Sequence, residues 1–479
     1  MFARILRHEW RMLLADPAPW VLLAVLAASI GYGTLNGVRW TRFQEQTIER
    51  ARAEERERLA QHDRDLQLIA AGEKKVAPAA DPGNADSAGR RLATRYAVLP
   101  PLPLAPLTVG QSDLLPYYFR ISTDSREAAL AATEIENPHR LLSGRFDLAF
   151  VLIYVYPLFI LGLAYNLLSA EKEQGTLALA LSQPVSVRTL VAGKVTLRLL
   201  VFLVAIVLLA GMSLAAAGID LSAPETSLRL GLWAAAAAVA VYGLFWLALA
   251  VAVTAFGRPS ATNAAVLAAC WLLFTVVLPS AGNLVANTLY PVPSRVALVQ
   301  GMRVASDEAN TRGSQLLAKY YEDHPELAPD SVERAMTQAS LIRIATTADI
   351  ERQIQPVLDT FGRQRASQRR VIAGFTWLSP ALLMQHMLGD IAGTGTHRHE
   401  RFVEQVARFH EEWRAYFLPR VFGGVRLERV TDAPQFAFED ESAPAVLDRT
   451  LPGLVFLLML GLGISVAGGR ALSRYPIVG

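Results

Sequence analysis

Cysteine is all but missing from this chain: Cys270 is the only one in 479 residues. An intramolecular disulfide is thereby excluded, and every folded part must be held by packing. Lysine is scarce too, five residues against 41 arginines, which points to a GC-rich genome. Basic and acidic residues nearly balance, 46 against 43 for a net charge of +3. No basic cluster sits on one face, so nucleic-acid binding is not indicated. Internal repeats are absent, and within 287–450 strand-like alternation is confined to 422–430. Charge is also absent from the middle of every long apolar run.

Those runs dominate what is present. Hydrophobic residues make up 52% of the chain and mean hydropathy is +0.28, too apolar for an ordinary soluble enzyme. Six stretches are predicted to span a membrane: 19–38, 148–169, 195–217, 231–256, 262–286 and 451–470. Each is long enough, since a helix rising ~1.5 Å per residue needs about 20 residues to cross about 30 Å of hydrocarbon. The first is longer than the core of a signal peptide and is read as an uncleaved span.

Orientation follows from the short connections. With a cytoplasmic N-terminus, the inside segments hold Arg4, Arg7, Arg11, Lys172, Arg188, Lys194, Arg198, Arg258, Arg470 and Arg474. The one short outside loop, 218–230, holds only Arg229 against Asp220 and Glu225. Both termini are therefore expected inside, with a cytoplasmic tail at 471–479. Two long segments, 39–147 and 287–450, are expected outside; they carry 16 basic and 16 acidic residues, and 19 and 21, respectively.

The N-terminal stretch 1–18 reads as an interfacial amphipathic helix ended by Asp16-Pro17. Phe2, Ile5, Leu6, Trp10, Leu13 and Leu14 form one face and Arg4, Arg7, His8 and Arg11 the other. In the first outside segment a charged helix is expected over 39–71, and the prolines at 100, 101, 103 and 106 read as an extended linker. The second should be mainly helical, over 294–323, 329–361 and 400–418. The fold class is thus an all-α polytopic membrane protein, six transmembrane helices with two mainly helical extracytoplasmic insertions.

Two energy sources are disfavoured. A proton- or sodium-coupled carrier needs ionisable groups or broken helices near the bilayer centre, and the span interiors carry no such groups. A P-loop needs a glycine five positions before Gly-Lys and a hydroxyl after it; around Gly193-Lys194 those positions hold Arg188 and Val195.

The loop between the second and third spans, 170–194, is the most specific feature. It reads Glu171-Lys172-Glu173-Gln-Gly175-Thr176-Leu177, then Pro184-Val-Ser186, then Gly193-Lys194. Gly175 permits a tight turn, Thr176 can cap a short helix over 177–181, and Ser186 can cap the helix that enters the third span. Together with Asn137 to Asp147 and with Pro157 and Asn166 of the second span, the loop resembles bacterial type-2 ABC transporter permeases. The subgroup it resembles has large extracytoplasmic domains after the first and fifth spans.

That resemblance implies a permease subunit of an ATP-driven transporter, an exporter because the family mostly exports, in the bacterial cytoplasmic (inner) membrane. It implies two copies of an ABC ATPase that bind ATP and magnesium, with no cofactor in this chain and no catalysis by it. A second permease subunit, identical or homologous, and membrane lipid are the other implied partners. Glu171, Glu173, Gly175, Thr176, Leu177, Pro184, Gly193 and Lys194 become the candidates for ATPase coupling.

Asn166, Ser169, Thr262 and Asn263 are candidates to line a substrate path, or else to hydrogen-bond between helices. Gly461, Ser465 and Gly469, spaced by four, suit close helix packing within the chain or between subunits. His397, His399 and His410 are weak metal candidates, because alternate histidines suit a strand or loop and the helical His-Glu-x-x-His pattern is absent. A membrane-anchored scaffold or assembly factor without transport activity is the alternative reading, and a metal-dependent membrane hydrolase a more distant one.

Overall fold

The computed structural model describes residues 2–76, 81–124, 145–183, 185–220, 225–291 and 332–475, with isolated positions between 300 and 315. The chain is an all-α polytopic membrane protein: six of the described helices are long and apolar enough to cross a membrane. In order, the helices are α1 (Phe2–Ala15), α2 (Pro17–Ala70), α3 (Leu148–Glu173), α4 (Thr176–Leu181), α5 (Val187–Ala216) and α6 (Thr226–Thr254). They continue with α7 (Ser260–Leu289), α8 (Val332–Leu378), α9 (Pro380–Ala392), α10 (Thr396–Phe422) and α11 (Ala443–Leu472). The six long apolar ones are α2, α3, α5, α6, α7 and α11.

Asp16-Pro17 does end α1. The Asp16 carboxylate accepts from Ala18 N at 2.9 Å, and Pro17 occupies the first position of α2, where a missing N–H costs nothing. The charged stretch 39–71 is not a separate helix. It continues the first span without a break, so α2 is 54 residues long and joins the bundle to the polar domain as one rod.

Two spans carry a π-helical turn, Val151–Val155 and Leu273–Val277, each just before a proline, Pro157 and Pro279. A proline in a helix removes an N–H and collides with the carbonyl four residues back, and an inserted residue relieves both. Side chains from other helices satisfy carbonyls in these turns. Tyr242 Oη donates to Ile153 O at 2.8 Å, Trp271 Nε1 to Tyr154 O at 3.1 Å, and Ser379 Oγ to Phe274 O at 2.6 Å. In hydrocarbon such internal partners are obligatory.

The bundle core is built around fully buried Tyr156, Tyr242, Phe245 and Trp246. Helix α11 lies along α6. A Cβ on Gly461 would meet Phe245 Cα at 3.5 Å, and one on Gly468 would meet Ala252 Cα at 3.1 Å. The small-residue face is therefore spaced by seven rather than four. Gly461 belongs to it, Ser465 is half-buried, and Gly469 faces open space, so Gly469 takes no part in packing within the chain.

Helix α9 is an addition to the expected layout. It meets the end of α8 at 113° through the Ser379 cap, and Met384, Met387, Leu388 and Ile391 join the same core as the spans. It thus leaves the second polar segment and packs against α6 and α11.

The two polar segments share one core. Strands β1 (Arg95–Val98) and β2 (Tyr118–Ile121) pair antiparallel, Arg95 opposite Ile121 and Val98 opposite Tyr118, and supply Ala97, Phe119 and Ile121. Helix α10 supplies Phe402, Val406, Phe409, Trp413 and Phe417 to the same cluster, and Trp413 Nε1 donates to Gly89 O at 2.9 Å. Strand structure thus occurs in the first segment, while 422–430 forms no strand. The proline cluster is no linker either: Leu104, Ala105 and Leu107 are buried, and Pro106 lies against Gly37 of α2. Part of the helices expected over 294–323 and 329–361 lies outside the described residues.

Candidate functional site

The loop after α3 folds into a short, braced element. Gly175 takes the left-handed conformation at φ 71°, which a residue with a Cβ adopts only under strain, and the chain reverses there into α4. Thr176 does not cap α4. It is the first helical residue, and its Oγ1 donates back to Glu171 O at 3.2 Å, closing the turn. Ser186 caps α5 as its sequence position suggests, accepting from Thr189 N at 3.2 Å.

One face of α4 is anchored and the other is open. Leu177 is buried with Leu168, Val191, Ala255, Leu472 and Tyr475, a small apolar cluster drawn from the ends of α3, α5, α6 and α11. Gln174, Gly175, Thr176, Ala178, Ser182 and Gln183 are exposed, and Leu179 is 72% exposed. Pro184 lies outside the described residues, as does the stretch from Asn137 to Gly144.

Two polar clamps fix this element. The first is a buried charge cluster. Lys194 Nζ lies 2.7 Å from Glu171 Oε1 and 3.4 Å from Glu9 Oε1, and donates to Leu167 O at 3.0 Å. Arg198 lies 3.7 Å from Glu9 Oε2 and also donates to Leu163 O. Lys194 and Glu9 are 4% and 5% exposed. Charges so buried persist only when paired and hydrogen-bonded, and here two acids and two bases do that for each other. Gly193 makes room for the α1 contact: a Cβ there would sit 2.6 Å from Ile5 Cγ2.

The second clamp joins the loop to α7. Glu173 accepts from Ser260 N at 2.6 Å and from Ser260 Oγ at 3.0 Å. A carboxylate here satisfies an otherwise orphaned N–H and complements the helix dipole. Ser260 Oγ also lies 2.8 Å from Ser169 Oγ, whose hydroxyl can donate to it, with Asn263 Nδ2 3.5 Å from Ser169 Oγ. Lys172 donates to Gly257 O at 3.4 Å and lies 5.9 Å from the Tyr475 ring centre.

Most of the residues singled out in the sequence are therefore together. Of the polar candidates, Ser169 and Asn263 are buried and tie α3 to α7, while Asn166 and Thr262 are half-buried nearby on the same helices. Sequence reasoning passed over Glu9, Arg198, Ser260 and Tyr475. For Glu9 there was a signal, since it is four residues from Ile5 and seven from Phe2, an acid on the apolar face of an amphipathic helix.

The histidines go separate ways. The helix begins at Thr396, so His397 and His399 lie in its first turn rather than on a strand or loop. His397 Nδ1 is 3.3 Å from Glu441 Oε1, His399 Nε2 is 2.9 Å from Pro116 O, and His410 Nε2 is 2.8 Å from Asp124 O. Among the described residues, no three His, Cys, Asp or Glu side chains are grouped to hold a metal ion.

A bundle of six apolar helices with a braced loop between the second and third defines a multi-pass membrane protein. Residues 3–355 match the family model described as ABC-2 family transporter protein, and the chain belongs to that family. Residues 295–439 match a second model, a domain of unknown function (DUF3526). No curated protein and no solved structure matches the chain. Membership makes this chain a membrane component of an ABC transporter and implies partnership with an ABC ATPase.

Proposed function

We propose that this chain is the permease subunit of an exporter in the bacterial cytoplasmic membrane, with both termini and the α4 loop on the cytoplasmic side. A separate ATPase, two copies per complex, binds ATP with magnesium and hydrolyses it. A second permease subunit, identical or homologous, completes the path. The observation that carries this reading is α4 itself, a short helix whose buried side is clamped and whose exposed side presents Leu179.

The clamps give that helix mechanical leverage. Displacement of α4 by a docked ATPase passes through Glu171–Lys194 to α5 and α1, and through Glu173–Ser260 to α7. Packed helices linked in this way move as rigid bodies. The polar residues Asn166, Ser169, Thr262 and Asn263 lie where α3 and α7 meet near the loop, and movement there would open or close the path they border.

The test uses cysteine crosslinking to the co-expressed ATPase in a Cys270→Ser background. Leu179→Cys is expected to crosslink and Leu177→Cys, whose side chain is buried, is not. Failure of the ATPase to co-purify or crosslink, while Leu179→Cys reacts freely with a soluble thiol reagent, would move the scaffold reading to the front.

A further inference from the structure

A cleft open to the surroundings lies between α1, the first turns of α2, and α5. Trp10, Leu13, Trp20, Leu23 and Phe202 line it, and Arg198 is the one charged side chain in its wall. Trp10 and Trp20 are 46% and 53% exposed, and Trp20 Nε1 donates to Leu14 O at 3.3 Å, holding its ring across the junction of the two helices. Half-exposed tryptophans at the end of a span mark the level of lipid headgroups.

Charge decides what fits. Arg4, Arg7 and Arg11 are all exposed on α1, whereas the helix's single acid, Glu9, is buried in its pairing with Lys194 and Arg198. Along its length α1 therefore exposes only positive charge, with the exposed Asp16 following at the junction with α2. Arg198, in the cleft wall, has a buried Nε with no hydrogen-bond partner among the described residues. An unpaired buried donor is costly, and a ligand oxygen close by relieves it. A ligand with a long apolar chain, an ester oxygen near the chain's head and a negative headgroup answers all three features.

We infer that this cleft binds one anionic phospholipid from the surrounding bilayer, an acyl chain between Trp10, Trp20 and Phe202 and the phosphate against Arg7 and Arg11. The occupant sits directly behind the Glu9–Lys194–Glu171 cluster, so the lipid props α1 against the braced loop. The inference requires that the apolar helices lie in a membrane and is independent of transport or of any ATPase.

The experiment is native mass spectrometry of the full chain, delipidated in neutral detergent and supplied with equimolar phosphatidylglycerol and phosphatidylcholine. Expected is retention of one phosphatidylglycerol per chain in preference to phosphatidylcholine. Arg7→Gln with Arg11→Gln should weaken retention about fivefold per arginine removed, the worth of a basic side chain at an anionic surface. Leu23→Trp, which fills the cleft and leaves every arginine in place, should abolish it. Arg470→Gln, outside the cleft, should retain the lipid as wild type does. Equal retention of the two lipids, or retention unchanged in either cleft variant, overturns the proposal.

Discussion

Lys194 is the shared partner of Glu171 at 2.7 Å and Glu9 at 3.4 Å, so a single ammonium group joins the N-terminal helix, the loop and the third span. Removing it leaves buried carboxylates short of a counter-charge.

Lys194→Met is therefore expected to destabilise the protein by about 3 kcal/mol, the scale seen when one partner of a buried ion pair is lost. Lys194→Arg, which keeps the charge, should lose much less. Thermal unfolding in detergent distinguishes the two; equal melting of both variants and wild type would show that the cluster contributes nothing net.

Glu173→Ala tests the second clamp. Because Glu173 is exposed, solvent screens the interaction, and the expected global loss is small, about 0.5 kcal/mol. The local effect should be larger: amide hydrogen exchange at Ser260 to Asn263 should quicken as the cap on α7 is removed. Unchanged exchange there would mean that α7 is capped independently of the loop.

Glycine packing makes a sharper contrast. A Cβ on Gly37 would overlap the Pro106 carbonyl oxygen, and one on Gly243 would overlap Tyr156 Oη, whereas Gly469 has open space. Gly37→Ala and Gly243→Ala should each cost about 1–3 kcal/mol through overpacking. Gly469→Ala should stay within about 0.5 kcal/mol of wild type. Melting temperatures of the three variants check the order.

In the polar domain, burial pushes the His399 ring below its ordinary value of 6.5, only partly opposed by the bond to Pro116 O. The folded state then holds the ring neutral where the unfolded chain protonates it. Stability from this group is present above 6.5 and is lost as pH falls through and below that value. His399→Gln keeps a donor for Pro116 O and removes the titration. The variant should show a flatter dependence of unfolding on pH than wild type as acidity passes through 6.5; identical slopes would exclude His399 as the source.

The span positions, the Asp16-Pro17 break and the Ser186 cap were legible because each rests on local periodicity or local steric rules. Gly461 was legible as a packing glycine, but Gly468 was not. Spacing by four and by seven both return to one helix face, and only the partner helix α6 selects between them. Thr176 illustrates the same limit: hydroxyl before an apolar run suits a cap, yet Gly175 took the reversing conformation and moved the helix start back by one.

The amino-acid order alone determined where the six apolar spans fall and that their interiors carry no charge, since hydropathy and helical period act over neighbouring residues. Tertiary structure decided what those helices do to one another. It brought Glu9 to Lys194 across 185 positions of sequence, put α9 into the bundle core, and closed one aromatic core over two segments that the spans hold apart in the chain. Such contacts depend on which buried charge finds a partner and which faces exclude lipid or water together. Those are properties of the assembled bundle, and no window of sequence contains them.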